Sequence, residues 1–146
     1  MLYVGNNEVT RRDSETRREG DVLVIVARGV VLPSRRTLMN IACWELWRRD
    51  ARSVVVDLRA AIMLLNDEER DILFARAAAR DIPSHPIAFI ASEALLDDIA
   101  TLCDGVCRRG LLWRAFLSME EALAWASTRR PFWREQRARW QVPRLA

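Results

Sequence analysis

Two short β-branched segments constrain this chain more than anything else in it: the unbroken apolar run Val22-Leu-Val-Ile-Val-Ala27, and Ser53-Val-Val-Val-Asp57-Leu58 with three consecutive valines at its centre. Neither alternates apolar with polar residues, so neither suits a sheet with one wet face. Both read as strands buried on two sides, the environment of a parallel sheet covered by helices. Between and after them the pattern changes to a helical one. Ser34, placed after the punctuation of Gly29 and Pro33, caps a helix running to about Arg49. Asn66 or Asp67 caps the next helix, whose first turn carries Asp67, Glu68 and Glu69, the sign that the helix dipole favours there. Pro86-Ile-Ala-Phe-Ile-Ala91 reads as a third strand. Ser92 then opens a helix with apolar stripes Leu95/Ile99/Leu102/Val106 and Leu96/Ala100/Cys103/Cys107, and Gly110 ends it. Leu111–Leu117 is the fourth core strand. Ser118 with Glu121 spells a capping box at the head of a last helix, Met119 to about Arg129.

Strands alternating with helices predict an α/β fold: a mixed, mostly parallel sheet of four to five strands, about four helices, and right-handed crossovers. Residues 1–20 are polar and mixed in charge, with Leu2–Val4 expected as a short edge strand and Glu19-Gly-Asp21 as a turn. Pro131 divides the chain into an α/β domain, residues 1–130, and an Arg/Trp-rich accessory helix or tail, residues 131–146.

At 146 residues, 51% of them apolar and 29% charged, the chain has the composition of one ordinary globular domain. No stretch approaches the roughly 20 apolar residues a membrane span needs. The first residues carry no basic region followed by an apolar core. The cysteines, Cys43, Cys103 and Cys107, are odd in number and sparse, which reads as reduced thiols. A cytoplasmic protein is the expectation.

Catalytic and cofactor signals are weak. The five glycines are scattered and form no phosphate-binding loop, so no cofactor is expected. Cys103 and Cys107 fall inside the apolar stripe and read as core, and His85, the single histidine, sits in a loop between Ser84 and Pro86. No metal site and no Ser–His or Cys–His nucleophile follows from these. The protein is expected not to be an enzyme. All 23 basic residues are arginine, the net charge is only +3, and acids are interleaved through the body of the chain. No nucleic-acid partner is expected from that pattern.

Four features together resemble the bacterial STAS-like family of anti-sigma-factor antagonists and its SEC14-like relatives. They are the strand ending Ala27-Arg-Gly29-Val, the run Val54-Val-Val-Asp57-Leu58, the strand Pro86-Ile-Ala-Phe-Ile, and the ending Phe116…Trp125. The resemblance spans roughly residues 20–128. It implies a mixed sheet with an antiparallel N-terminal edge strand packed against helices. It further implies a non-enzymatic regulatory domain that acts by protein contact, or, in the SEC14-like version, a binder of a small apolar molecule or lipid. Well-known members carry a phosphorylatable serine in an Asp-Ser-Ser-Gly segment after the strand ending in Asp-Leu. Here Asn66 and Asp67 stand near that place, so any partner would meet standing acidic charge instead of an added phosphate.

Three sets of residues are candidates for contact. The first is a loop group: Asp57 at the end of a central strand, Arg59 after it, and Asn66 and Asp67 opening the following helix. Its bland counterpart is a strand-end aspartate satisfied by Arg59 or by loop amides, plus a helix cap. The second is the Ser34–Arg49 helix. Its apolar residues, among them Leu38, Ile41, Trp44 and Trp47, wrap beyond the single stripe a core requires, which predicts a homodimer interface or an apolar groove. The third is the tail from Arg129 to Arg144, where Phe132, Trp133 and Trp140 interleave with six arginines and one acid. The tail is expected to fold back on the domain, or to touch a protein or the membrane surface.

Overall fold

A computed structural model describes residues 14–31, 51–79 and 84–128. Within them five strands form one sheet in sequence order: β1 (Ser14–Glu19), β2 (Val22–Val31), β3 (Ser53–Met63), β4 (Ile87–Ile90) and β5 (Trp113–Phe116). β1 runs antiparallel to β2, and every other neighbouring pair is parallel. Three helices lie among the described residues: α1 (Asp67–Ala78), α2 (Leu96–Cys107) and α3 (Met119–Thr128). The fold is the α/β class expected, with a mixed, mostly parallel sheet. The helix expected over Ser34–Arg49, the strand expected over Leu2–Val4 and the tail of residues 131–146 lie outside the described residues.

The two β-branched runs form the middle of the sheet because both their faces are covered. Leu23, Ile25, Val54, Val56 and Leu58 point to one face and share a core with Leu73 and Ala77 of α1 and Ile99, Leu102, Cys103 and Val106 of α2. Val22, Val24 and Val55 point to the other face and pack with Ala122, Trp125 and Ala126 of α3. The layering follows from topology. The crossovers β3–α1–β4 and β4–α2–β5 step in the same direction, so right-handed connections put α1 and α2 on the same side. α3 follows the last strand and returns across the open face. Edge-to-face packing of Phe89 on Trp113 (centroids 5.0 Å apart) marks the first layer, and Phe116 against Trp125 (5.7 Å) marks the second.

Several boundaries differ from those expected, each for a local reason. Among the described residues the antiparallel strand at this side of the sheet is the charged segment Ser14–Glu19, joined to β2 through Gly20-Asp21. An edge strand needs no apolar run, and its charges discourage further pairing. α2 begins at Leu96 and not at Ser92; Leu95 stands at its N-cap without a side-chain cap, and residues 93–95 form turns. β5 is shorter than its apolar run, covering Trp113–Phe116. The capping box is present in altered form. The Glu121 amide donates to Ser118 Oγ (3.2 Å), while the Ser118 hydroxyl donates to the Glu121 carboxylate (3.1 Å).

The largest difference is in β2 and β3, which run four to five residues past the ends expected at Ala27 and Leu58. Gly29 does not stop β2; it takes φ +80°, which only glycine adopts without strain, and the strand continues. The two strands stay paired from Arg28↔Ala60 to Val31↔Met63, after β4 has ended opposite Asp57. Together they extend beyond the rest of the parallel sheet.

Candidate functional site

The extension begins at a bulge. Between the pairs Val26↔Asp57 and Arg28↔Ala60, β2 advances two residues and β3 three, so Leu58 and Arg59 together face Ala27. A bulge frees a backbone amide, and Asp57 supplies its acceptor. The Arg59 amide donates to Asp57 Oδ1 (3.0 Å), Arg59 Nε donates to the same oxygen (3.0 Å), and Arg59 Nη2 donates to Oδ2 (2.8 Å). Asp57 is buried on the α3 side, with a side chain 8% exposed, whereas that of Arg59 is 47% exposed. Burial pushes the Asp57 carboxyl up. The hydrogen bonds and positive charge of Arg59, with the more distant Arg17, outweigh it and hold the group below its ordinary range. The hydrogen bonds to Asp57 raise the Arg59 guanidinium in turn, against a smaller opposing effect of burial. Both oxygens are engaged, and the pair is a bidentate clamp on the bulge.

Asn66 and Asp67 stand elsewhere. Asn66 is the N-cap of α1, its side-chain oxygen accepting from the Glu69 amide (2.8 Å), and Asp67 pairs with Arg70 one turn on (3.1 Å). The two face a cavity of about 180 Å³ that Asp98, Thr101 and Leu102 of α2 also line. That cavity is on the α1/α2 side of the sheet, whereas Asp57 is on the α3 side. The structure therefore separates the four loop candidates into two structural devices, a bulge clamp and a helix cap. A second cavity, of about 130 Å³, lies at the opposite end of the strands, lined by Asp21, Arg52, Ser53 and the end of α3. There the Ser53 hydroxyl donates to the Ala126 carbonyl (3.2 Å). Both cavities are small beside the roughly 300–1,000 Å³ of a site for a drug-sized molecule.

Other groups considered for chemistry are engaged in packing. Cys103 is buried, and burial, with the nearby Cys107 and Asp104, drives its thiol far above the ordinary range. The Cys107 thiol donates to the Trp113 carbonyl at 3.2 Å. No group of three or more His, Cys, Asp or Glu side chains among the described residues is placed to hold a metal ion. No helix of the described residues is long and apolar enough to cross a membrane. Leu38, Ile41, Trp44 and Trp47, like the tail, lie outside the described residues.

What sequence reasoning missed is the far end of the extension. Past the bulge, Ala61 and Met63 point to the α1/α2 side and pack on its core, with Leu65 following them. Ile62 and Leu64 point the other way, beyond the reach of α3, and are 61% and 48% exposed. Val30, paired with Ile62, is half-buried on the same face. The signal was available: Ala60-Ala-Ile-Met-Leu-Leu65 is a six-residue run without a charge. A strand ending at Leu58, as the buried run alone predicts, leaves this segment in a loop.

No known protein family, no curated protein and no solved structure matches this chain.

Proposed function

We propose that the protein is a non-enzymatic interaction domain that regulates by contact with another protein, in the manner its sequence resemblance to anti-sigma-factor antagonists implies. The observation that carries this reading is the contrast at the extended end of the sheet. Asp57 pairs with Arg59 there, and the exposed Asp67 pairs with Arg70, while the apolar Ile62 and Leu64 face solvent. A catalytic carboxylate must reach its substrate, whereas Asp57 is buried, with a side chain only 8% exposed, and three of its roughly four acceptor positions are taken by Arg59. Large apolar side chains rimmed by polar groups are, by contrast, the usual mark of a protein contact. The two cavities described give less support to an apolar-ligand carrier, because both are small and partly polar. The sparse cysteines agree with action in the cytoplasm, where a partner would meet a reduced protein.

Site-specific photocrosslinking in cells tests the reading. A benzophenone side chain at position 62 is expected to give discrete protein adducts that the same group at position 93, in the turn before α2, does not. No adduct at 62, or equal labelling at both positions, would refute a contact surface there.

A further inference from the structure

The outer edge of β3 carries a second pattern besides exposure. The Leu64 amide donates to the Val31 carbonyl (2.9 Å), so Leu64, Ile62 and Ala60 turn their backbone groups toward β2. By alternation, Ala61 and Met63 turn their N–H and C=O groups to the opposite side, where β4 has already ended. Among the described residues those groups take no backbone partner. Among the described residues the opposite edge is charged: β1 carries Glu15, Arg17 and Arg18. Ala60–Leu65 itself contains no charged residue.

We propose that this edge pairs with the same edge of a second copy of the chain, antiparallel, about a two-fold axis passing beside Ile62. The proposal rests on the interaction reading above and names the partner. A second copy fits this edge in two respects, the second of which is particular to self-pairing. The first is backbone register. With Ile62 opposite Ile62 of the other copy, Ala61 faces Met63 and Met63 faces Ala61, and each such pair exchanges two N–H to C=O bonds. The four outward groups on each strand are thereby satisfied. The second is side-chain size. Read outward from Ile62, the segment is small on one side (Ala61, Ala60) and large on the other (Met63, Leu64). Antiparallel self-pairing sets Leu64 over Ala60 and Met63 over Ala61, large against small on both faces. Ile62, the most exposed large apolar side chain among the described residues, then lies directly against its own copy in a non-hydrogen-bonded pair, where side chains approach closest. The sheets of two molecules become continuous through the two β3 extensions.

Sedimentation velocity on the full chain, over a roughly hundredfold range of concentration, is expected to show a dimer. Ile62→Arg sets two guanidinium groups side by side on the axis, and Ala61→Pro removes an outward donor that the β2 ladder does not use; both are expected to sediment as monomers with unchanged circular dichroism. Ile62→Cys fixes the register. Across the axis the two Cα atoms would be about 4.5 Å apart, within reach of a disulfide, so oxidation should link the chains. Leu64→Cys would place its thiols roughly four residues of strand rise apart, about 14 Å, and should link no more than wild type. A wild-type monomer throughout, a dimer that survives Ile62→Arg, or equal crosslinking by the two cysteine variants would overturn the proposal. The Ile62→Cys result decides the matter even where Ile62→Arg fails to fold. Monomeric protein whose benzophenone adducts at position 62 contain a different protein would end the self-pairing proposal and leave the interaction reading standing.

Discussion

At the scale of single residues, the position that best separates structure from function is Asp57. From sequence it is a carboxylate at the end of a central strand, where α/β sheets often present ligand-binding groups. In the folded chain its oxygens close the bulge by holding the Arg59 amide and guanidinium. The bland alternative, a strand-end aspartate satisfied by Arg59, is the geometry found. Removing the guanidinium should therefore cost stability. Arg59→Gln is expected to lose about 1–3 kcal/mol at neutral pH, the cost of leaving a buried acceptor under-satisfied. The pH dependence has a definite sign. Asp57 is held below its ordinary value in the folded state, so the stability it contributes is present above the unfolded carboxyl range near about pH 4 and is lost as pH falls through the lower folded value. The gap between wild type and Arg59→Gln should be constant from about pH 5 to 8 and shrink in acid. Urea unfolding at a series of pH values measures it, and a gap that widens below pH 4 would contradict the clamp.

At the scale of elements, α1 and α2 meet where a side chain is missing. Gly105 lies in the last turn of α2, and a β-carbon there would collide with the tip of the Phe74 ring of α1. Arg109 lies over the face of that ring, its guanidinium 4.1 Å from the centroid, and its Nη1 donates to the Gly105 carbonyl (2.7 Å). Glycine inside a helix costs about 1 kcal/mol relative to alanine. The ring contact outweighs that preference, since overpacking typically costs 1–3 kcal/mol. Gly105→Ala is expected to lower the unfolding free energy by up to about 2 kcal/mol, whereas an exposed helical glycine would gain from the change. Thermal melts of the variant, with Phe74→Leu as a relieving second change, check this. Gly105 was legible only as part of an apolar helix face. The ring that fills its space comes from another element, more than 30 positions earlier.

At the scale of the whole molecule, β3 is the strand on which both layers depend. Val54, Val56 and Leu58 belong to the α1/α2 core, and Val55 belongs to the α3 core. Val55→Asp should cost several kcal/mol, because it buries a charge with no counter-ion between β3 and α3. Loss of a cooperative melt, or a fall in Tm of many degrees, is the expected result. Unchanged stability would mean that the strand is not central. The β-branched runs, their two-sided burial and the strand–helix alternation were set by sequence alone, because each depends on contacts repeated along a few adjacent residues. The same holds for the Asn66 cap, where partner and donor are three residues apart. Tertiary structure alone decided three other things: that Asp57 and Asp67 belong to opposite faces, that β2 and β3 continue past their apolar runs, and that Ile62 and Leu64 face outward. Each turns on where a neighbouring element stops. β4 ends opposite Asp57, and one extra residue in β3 shifts the alternation so that Ile62 faces away from the core. That reversal of facing arises from the pairing of two strands and not from any pattern within one.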